Sequence, residues 1–141
     1  MVPLLLSWTK NPPAQVDQHG LFVGLANAFA QLKAKEAIPF LIKNISLQRW
    51  ILDMPVWLKT DKVIEERLPA VAALVQIGPD ASKAVISEYL TIEPDDRLAA
   101  IFVVARIRDP EARGFLVSVL GRANMERYWA EEGLKRLDEQ R

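Results

Sequence analysis

One apolar pattern recurs four times along this chain and limits what it can fold into. With Leu32, Ile77, Ile107 and Leu137 taken as anchors, Phe29, Leu74, Val104 and Leu134 fall three residues earlier. Ala28, Ala73, Val103 and Gly133 fall four earlier, and Leu25, Ala70, Ala100 and Ala130 seven earlier. Spacings of three, four and seven keep side chains on one face of an α-helix. Each window therefore predicts a first helix ending near its anchor. Beyond the first three anchors the match continues with Phe40/Leu41, Val85/Ile86 and Phe115/Leu116, and then with Ile45, Leu90 and Leu120. This is a second amphipathic helix in constant register, and the short turn between the two sets them antiparallel. Such pairs bury their apolar faces by stacking on their neighbours. The expected fold is all-α, an α-solenoid of antiparallel helix pairs (an α-α superhelix) with about eight helices.

The turns carry matching punctuation. Gly78 suits a left-handed helix end, Pro79 and Pro110 suit the first turn of the next helix, and Asp109 is the expected N-cap of the third pair. Pro69 lies inside a first helix and must either kink it or mark a late start. The anchors are 45, 30 and 30 residues apart, so the first interval carries about fifteen extra residues, read as an insertion at about 46–60. At the N-terminus, Val2-Pro3-Leu4-Leu5-Leu6 aligns with Ile38-Pro39-Phe40-Leu41-Ile42, a second helix without its first. Met125 to Leu137 reads as a first helix without its second. Residues 1–141 thus form one repeat domain with incomplete repeats at both ends. These are either caps or the cut edges of a longer array.

Val103-Val104-Ala105-Arg106-Ile107-Arg108-Asp109-Pro110-Glu111-Ala112, followed by Phe115-Leu116 and Val119-Leu120, resembles the short HEAT-like repeat of the phycobilisome-lyase type. Ala73 to Leu90, with its Ile77-Gly78-Pro79-Asp80-Ala81 turn, is similar. Pro69 also matches the proline that commonly kinks the first HEAT helix. In repeat one, Leu32-Lys33-Ala34-Lys35-Glu36 departs from the glycine or Asp-Pro turn. The resemblance implies an armadillo-like superhelix serving as scaffold or adaptor for proteins, with nucleic-acid binding or a lyase-like accessory role as alternatives. Its motif consists of packing residues and brings no catalytic residue with it.

Composition narrows the function classes. Eighteen basic residues balance eighteen acidic ones, so no long-range field draws nucleic acid or an anionic membrane to the surface. Cysteine is absent, which removes disulfides, thiolate nucleophiles and cysteine-based zinc sites. The longest apolar run, Leu98 to Ala105, is far short of the roughly 20 residues that span a bilayer and reads as a buried helix. No signal peptide is expected at Met1 to Trp8, and a soluble, cytoplasmic protein without a membrane partner is the default expectation. Phosphate loops, H-E-x-x-H and nucleophile elbows are missing, so no enzyme, cofactor or metal is expected.

His19, the only histidine, stands two residues from Asp17. Side chains two apart do not face each other on a helix, so His19 and Gly20 read as a loop before a helix at Leu21 to Leu32. Glu65/Glu66, Asp95/Asp96 and Glu131/Glu132 are adjacent acids that diverge on a helix and read as solvated faces or helix starts.

Two features remain as candidate partner-binding residues. Lys83 and Arg113 share one register, six residues beyond their anchors, and would stack as a stripe on the second helices with Arg106, Arg108, Arg122 and Arg127 nearby. That stripe suits a phosphate or acidic peptide, while interleaved Asp109, Glu111 and Glu126 predict local salt bridges instead. Trp50, Met54 and Trp57 crowd the insertion and form either a protein or peptide interface or a cover over the core edge. Trp8 and Trp129 stand near the ends, where end-to-end self-association is expected.

Overall fold

The computed structural model describes residues 2–11, 18–45, 64–66, 68–121 and 125–139. Regular structure among them is helical throughout, without a strand. The expectation of an all-α chain is met. The insertion at 46–60, with Trp50, Met54 and Trp57, lies outside the described residues, as does Arg122. The chain divides into two compact units, Met1–Ile77 and Gly78–Arg141.

In the first unit α1 spans Val2–Lys10, α2 Gln18–Leu32, α3 Ile38–Lys43 and α4 Pro69–Ile77, with a 3-10 turn at Lys35–Ala37 ahead of α3. Helix α2 packs on α1 and α4, and α3 also packs on α4. Leu25, Phe29, Leu41, Ile45, Val71 and Leu74 are fully or almost fully buried, each contributing about 1.5–3 kcal/mol of apolar burial. Phe40 stands edge-on to both Phe22 and Phe29, with ring centroids 5.1 and 5.9 Å away.

Helix α2 starts at Gln18, so the backbone of His19 and Gly20 belongs to the helix and not to a loop before it. At its other end the Lys33 amide bonds the Ala30 carbonyl and the Ala34 amide bonds the Phe29 carbonyl, with Lys33 at φ 49°. These are the two bonds of a Schellman motif. A lysine therefore occupies the left-handed position for which glycine is the usual residue. Pro69 stands at a break between helical segments: α4 begins on it, directly after helical residues 64–66, with the Leu68 amide bonding the Ile64 carbonyl at 2.9 Å. The Ala72 amide reaches back to the Leu68 carbonyl at 3.0 Å, and the missing proline N–H falls among groups that a helix start leaves unbonded anyway.

In the second unit α5 spans Pro79–Glu88, α6 Arg97–Ile107, α7 Ala112–Leu120 and α8 Met125–Glu139, with 3-10 turns at Tyr89–Thr91 and Pro94–Asp96. Helix α6 packs on α5, α7 and α8, and α7 packs on α8. Ala99 through Ala105 are all buried, which accounts for the apolar run read in the sequence. Gly133 on α8 makes the close approach to its neighbours: a Cβ there would stand 3.2 Å from the Leu116 side chain and 3.4 Å from Ile101.

Gly78, at φ 92° and ψ −142°, occupies a glycine-only region other than the expected left-handed helical one, and its carbonyl accepts the first bonds of α5. Pro79 stands in the first turn of α5 as expected. Helix α6 ends on Arg108, left-handed at φ 62°, whose amide bonds the Val104 carbonyl. The next turn differs from expectation at two residues. Glu111, not Asp109, is the N-cap position of α7, and Pro110 lies in the turn before the helix. Asp109 closes that turn instead, accepting the Glu111 amide on Oδ2 at 3.4 Å and the Ala112 amide on its carbonyl at 2.8 Å.

The expected apolar face of the second helix also shifts at one point. Ile45 is buried, but Leu90 is 68% exposed and Tyr89 is buried in its place. The 3-10 turn at Tyr89–Thr91 winds more tightly than the α-helix before it and rotates the register by one residue.

Candidate binding groove on the second unit

Tyr89 belongs to a polar cluster with Arg97 and Glu126 in the second unit. Arg97, at the first position of α6, is only 8% exposed. A buried guanidinium requires partners. Its Nε donates to the Ile92 carbonyl at 3.1 Å, one Nη to the Leu90 carbonyl at 3.2 Å and the other to Glu126 Oε1 at 3.2 Å. The same Glu126 oxygen accepts the Tyr89 hydroxyl at 2.7 Å, and the guanidinium carbon lies 5.3 Å from the Tyr89 ring centroid. Arg97 thereby ties the turn after α5 to the first turn of α8. The Tyr89 ring in turn stands edge-on to Phe115 of α7, 5.0 Å between centroids.

Over this pair of rings opens a groove of about 680 Å³ between α5 with its following turn and α7. Buried Tyr89, Phe115 and Val119 form its base, with half-buried Ile86 beside them. Exposed Leu90, Glu111, Gly114 and Ser118 form its rim. Gly114 leaves that rim open, since a Cβ there would meet nothing within 4 Å. The Ser118 hydroxyl donates to the Phe115 carbonyl at 2.6 Å, and among the described lining residues Glu111 is the one that is charged. Among the described residues the groove offers apolar contact, aromatic edges, the Ser118 hydroxyl and the Glu111 carboxylate.

The basic residues singled out in the sequence are placed as follows. Lys83 is exposed on α5. Arg113 on α7 pairs with Asp138 of α8 at 2.7 Å, the two side chains being 47% and 60% exposed. Arg108 donates to the Leu137 carbonyl at 3.3 Å, and Arg127 faces Glu131 at 3.5 Å. Glu132, the other member of that acidic pair, meets Lys135 at 3.3 Å. Arg106 is also partnered. Much of this basic cluster is thus engaged within the chain. Trp8 and Trp129 are half-buried. Among the described residues no group of three or more histidine or carboxylate side chains is placed to hold a metal ion, and no helix is long and apolar enough to cross a membrane.

Sequence reasoning missed both the network and the groove. Glu126 lies 37 residues from Tyr89 and 29 from Arg97, and the three follow no period. Gly114, a glycine inside a helical pattern, was the one visible signal. Compared with protein-family models, curated proteins and solved structures, the chain has no match.

Proposed function

We propose that this chain is a HEAT-like α-solenoid that holds a protein or peptide partner on the face formed by its second helices. The solenoid reading is supported by packing in both units: α1 with α2, α2 with α4, α3 with α4, α5 with α6, α6 with α8 and α7 with α8 all join neighbours in the repeat register. It is supported also by the backbone. Lys33, Gly78 and Arg108, the positive-φ residues among those described, each directly follow an anchor.

The observation that carries the functional reading is the groove between α5 and α7. In a HEAT-like solenoid second helices line the concave face; on that reading the groove belongs to it, an apolar surface whose Tyr89 ring is tied to Glu126 and, through it, to Arg97. Preformed apolar concavities are where partners find contact area at low ordering cost. The tryptophan-rich insertion belongs to the same proposal as a second contact.

Affinity capture from the native cell, followed by reconstitution of the complex from purified components, tests it. A partner whose binding is lost on Gly114→Trp, at an unchanged thermal midpoint, is the expected result. Failure to reconstitute any protein complex overturns the reading. Nucleic-acid binding that weakens steeply with salt would transfer the function to Lys83 and Arg113.

A further inference from the structure

We infer that the groove's occupant is an amphipathic helix of a partner protein, with an apolar stripe for Tyr89, Phe115 and Leu90 and a lysine or arginine beside that stripe for Glu111. This rests on the interaction-module reading above and specifies the partner's chemistry.

The first argument is backbone chemistry. Both walls are helical, and the backbone groups inside a helix are bonded along the helix itself. They offer an incoming extended strand no edge to pair with, whereas a helix arrives with its own backbone bonds made. The second is shape. Gly114 removes a side chain from the rim of α7 at the groove, where a Cβ would meet nothing within 4 Å. A glycine inside a helix costs about 1 kcal/mol relative to alanine. Here it leaves space for another helix to approach closely. The third is charge. Among the described lining residues Glu111 is the one charged group, beside mostly apolar neighbours, and no ion pair is described for its carboxylate. A partner helix that covers Leu90 while presenting a cation to Glu111 is complementary in both respects, and one presenting a carboxylate there is repelled.

A displayed library of helical peptides, randomised at stripe and flanking positions, tests the inference. Selection is run on the intact chain, with counter-selection on Gly114→Trp. The expected winners carry apolar residues at helical spacing and a lysine or arginine at one flank. Their affinity falls at least about tenfold on Gly114→Trp and about two- to fivefold on Glu111→Gln. Selection on Glu111→Lys should replace the basic flank with aspartate or glutamate. Gly114→Ala, which fits the open space, is expected to fold and serves as a second groove variant should the tryptophan variant unfold.

No enrichment, winners without a basic flank, or a flank that stays basic on Glu111→Lys would each overturn the inference. The broader reading fails separately: it falls when no protein complex can be reconstituted, whatever the library yields. A native partner that binds elsewhere on the chain removes only the groove.

Discussion

Three residues follow their anchors with positive φ, and only one of them is glycine. At Lys33 the left-handed backbone costs about 1–2 kcal/mol because its Cβ crowds the following carbonyl, and the surrounding Schellman bonds hold it there. Lys33→Gly should therefore stabilise the chain by about 0.5–1 kcal/mol in urea unfolding, offset in part by the added freedom of the unfolded chain. Lys33→Val, β-branched at positive φ, should destabilise it by at least about 1 kcal/mol. Equal midpoints for both variants would mean that the turn is not held in this conformation. Ser82 on α5 poses the opposite case, a fully buried hydroxyl for which no partner is described. Removing an unsatisfied buried polar group relieves its desolvation penalty, so Ser82→Ala should be neutral or stabilising by about 1 kcal/mol. A loss of more than that would show that Ser82 has a partner. Nothing in the apolar periodicity marks either residue. Both effects come from backbone geometry and hydrogen-bond satisfaction, which a pattern of side-chain polarity does not encode.

At the level of elements, helix ends were the legible part. Helices α2, α4 and α6 stop at Leu32, Ile77 and Ile107, the residues at which the spacing places them. Helix starts were less legible, because a start depends on which residue satisfies the first amides. Pro69 opens α4, Glu111 displaces Asp109, and α2 reaches back to Gln18. The exposure of Leu90 was hidden for a related reason. A single 3-10 turn changes the number of residues per turn, and the i, i+3, i+4 rule assumes that it is constant. The Arg97–Glu126 pair then fixes what that turn presents. Arg97→Met or Glu126→Gln alone should cost about 1–3 kcal/mol, since each removes one charge of a largely buried pair whose other member keeps its remaining hydrogen bonds. The double variant should cost less than the sum of the singles. Thermal or urea unfolding of the four proteins measures the coupling. Strict additivity would show that the two charges do not interact energetically.

At the scale of the whole molecule, each compact unit has its own buried residues: Leu25, Phe29, Leu41 and Leu74 in the first, and Ile101, Phe102, Val104 and Leu116 in the second. In a stacked-repeat protein, stability is approximately a sum of local terms and nearest-neighbour interfaces, so a lesion acts most strongly near itself. Phe29 is fully buried on α2, and Phe29→Ala should remove about 3–5 kcal/mol through lost burial and the cavity left behind. If the solenoid reading holds, native-state hydrogen exchange should show that loss in the amides of α2, α3 and α4, and a smaller change in α6 and α8. Amides of all these helices losing protection equally would indicate a single cooperative core and count against the repeat architecture. The outcome bears on function as well. The groove between α5 and α7 belongs wholly to the second unit, so under local stability Phe29→Ala should leave its peptide affinity within about twofold, whereas Tyr89→Ala should abolish it.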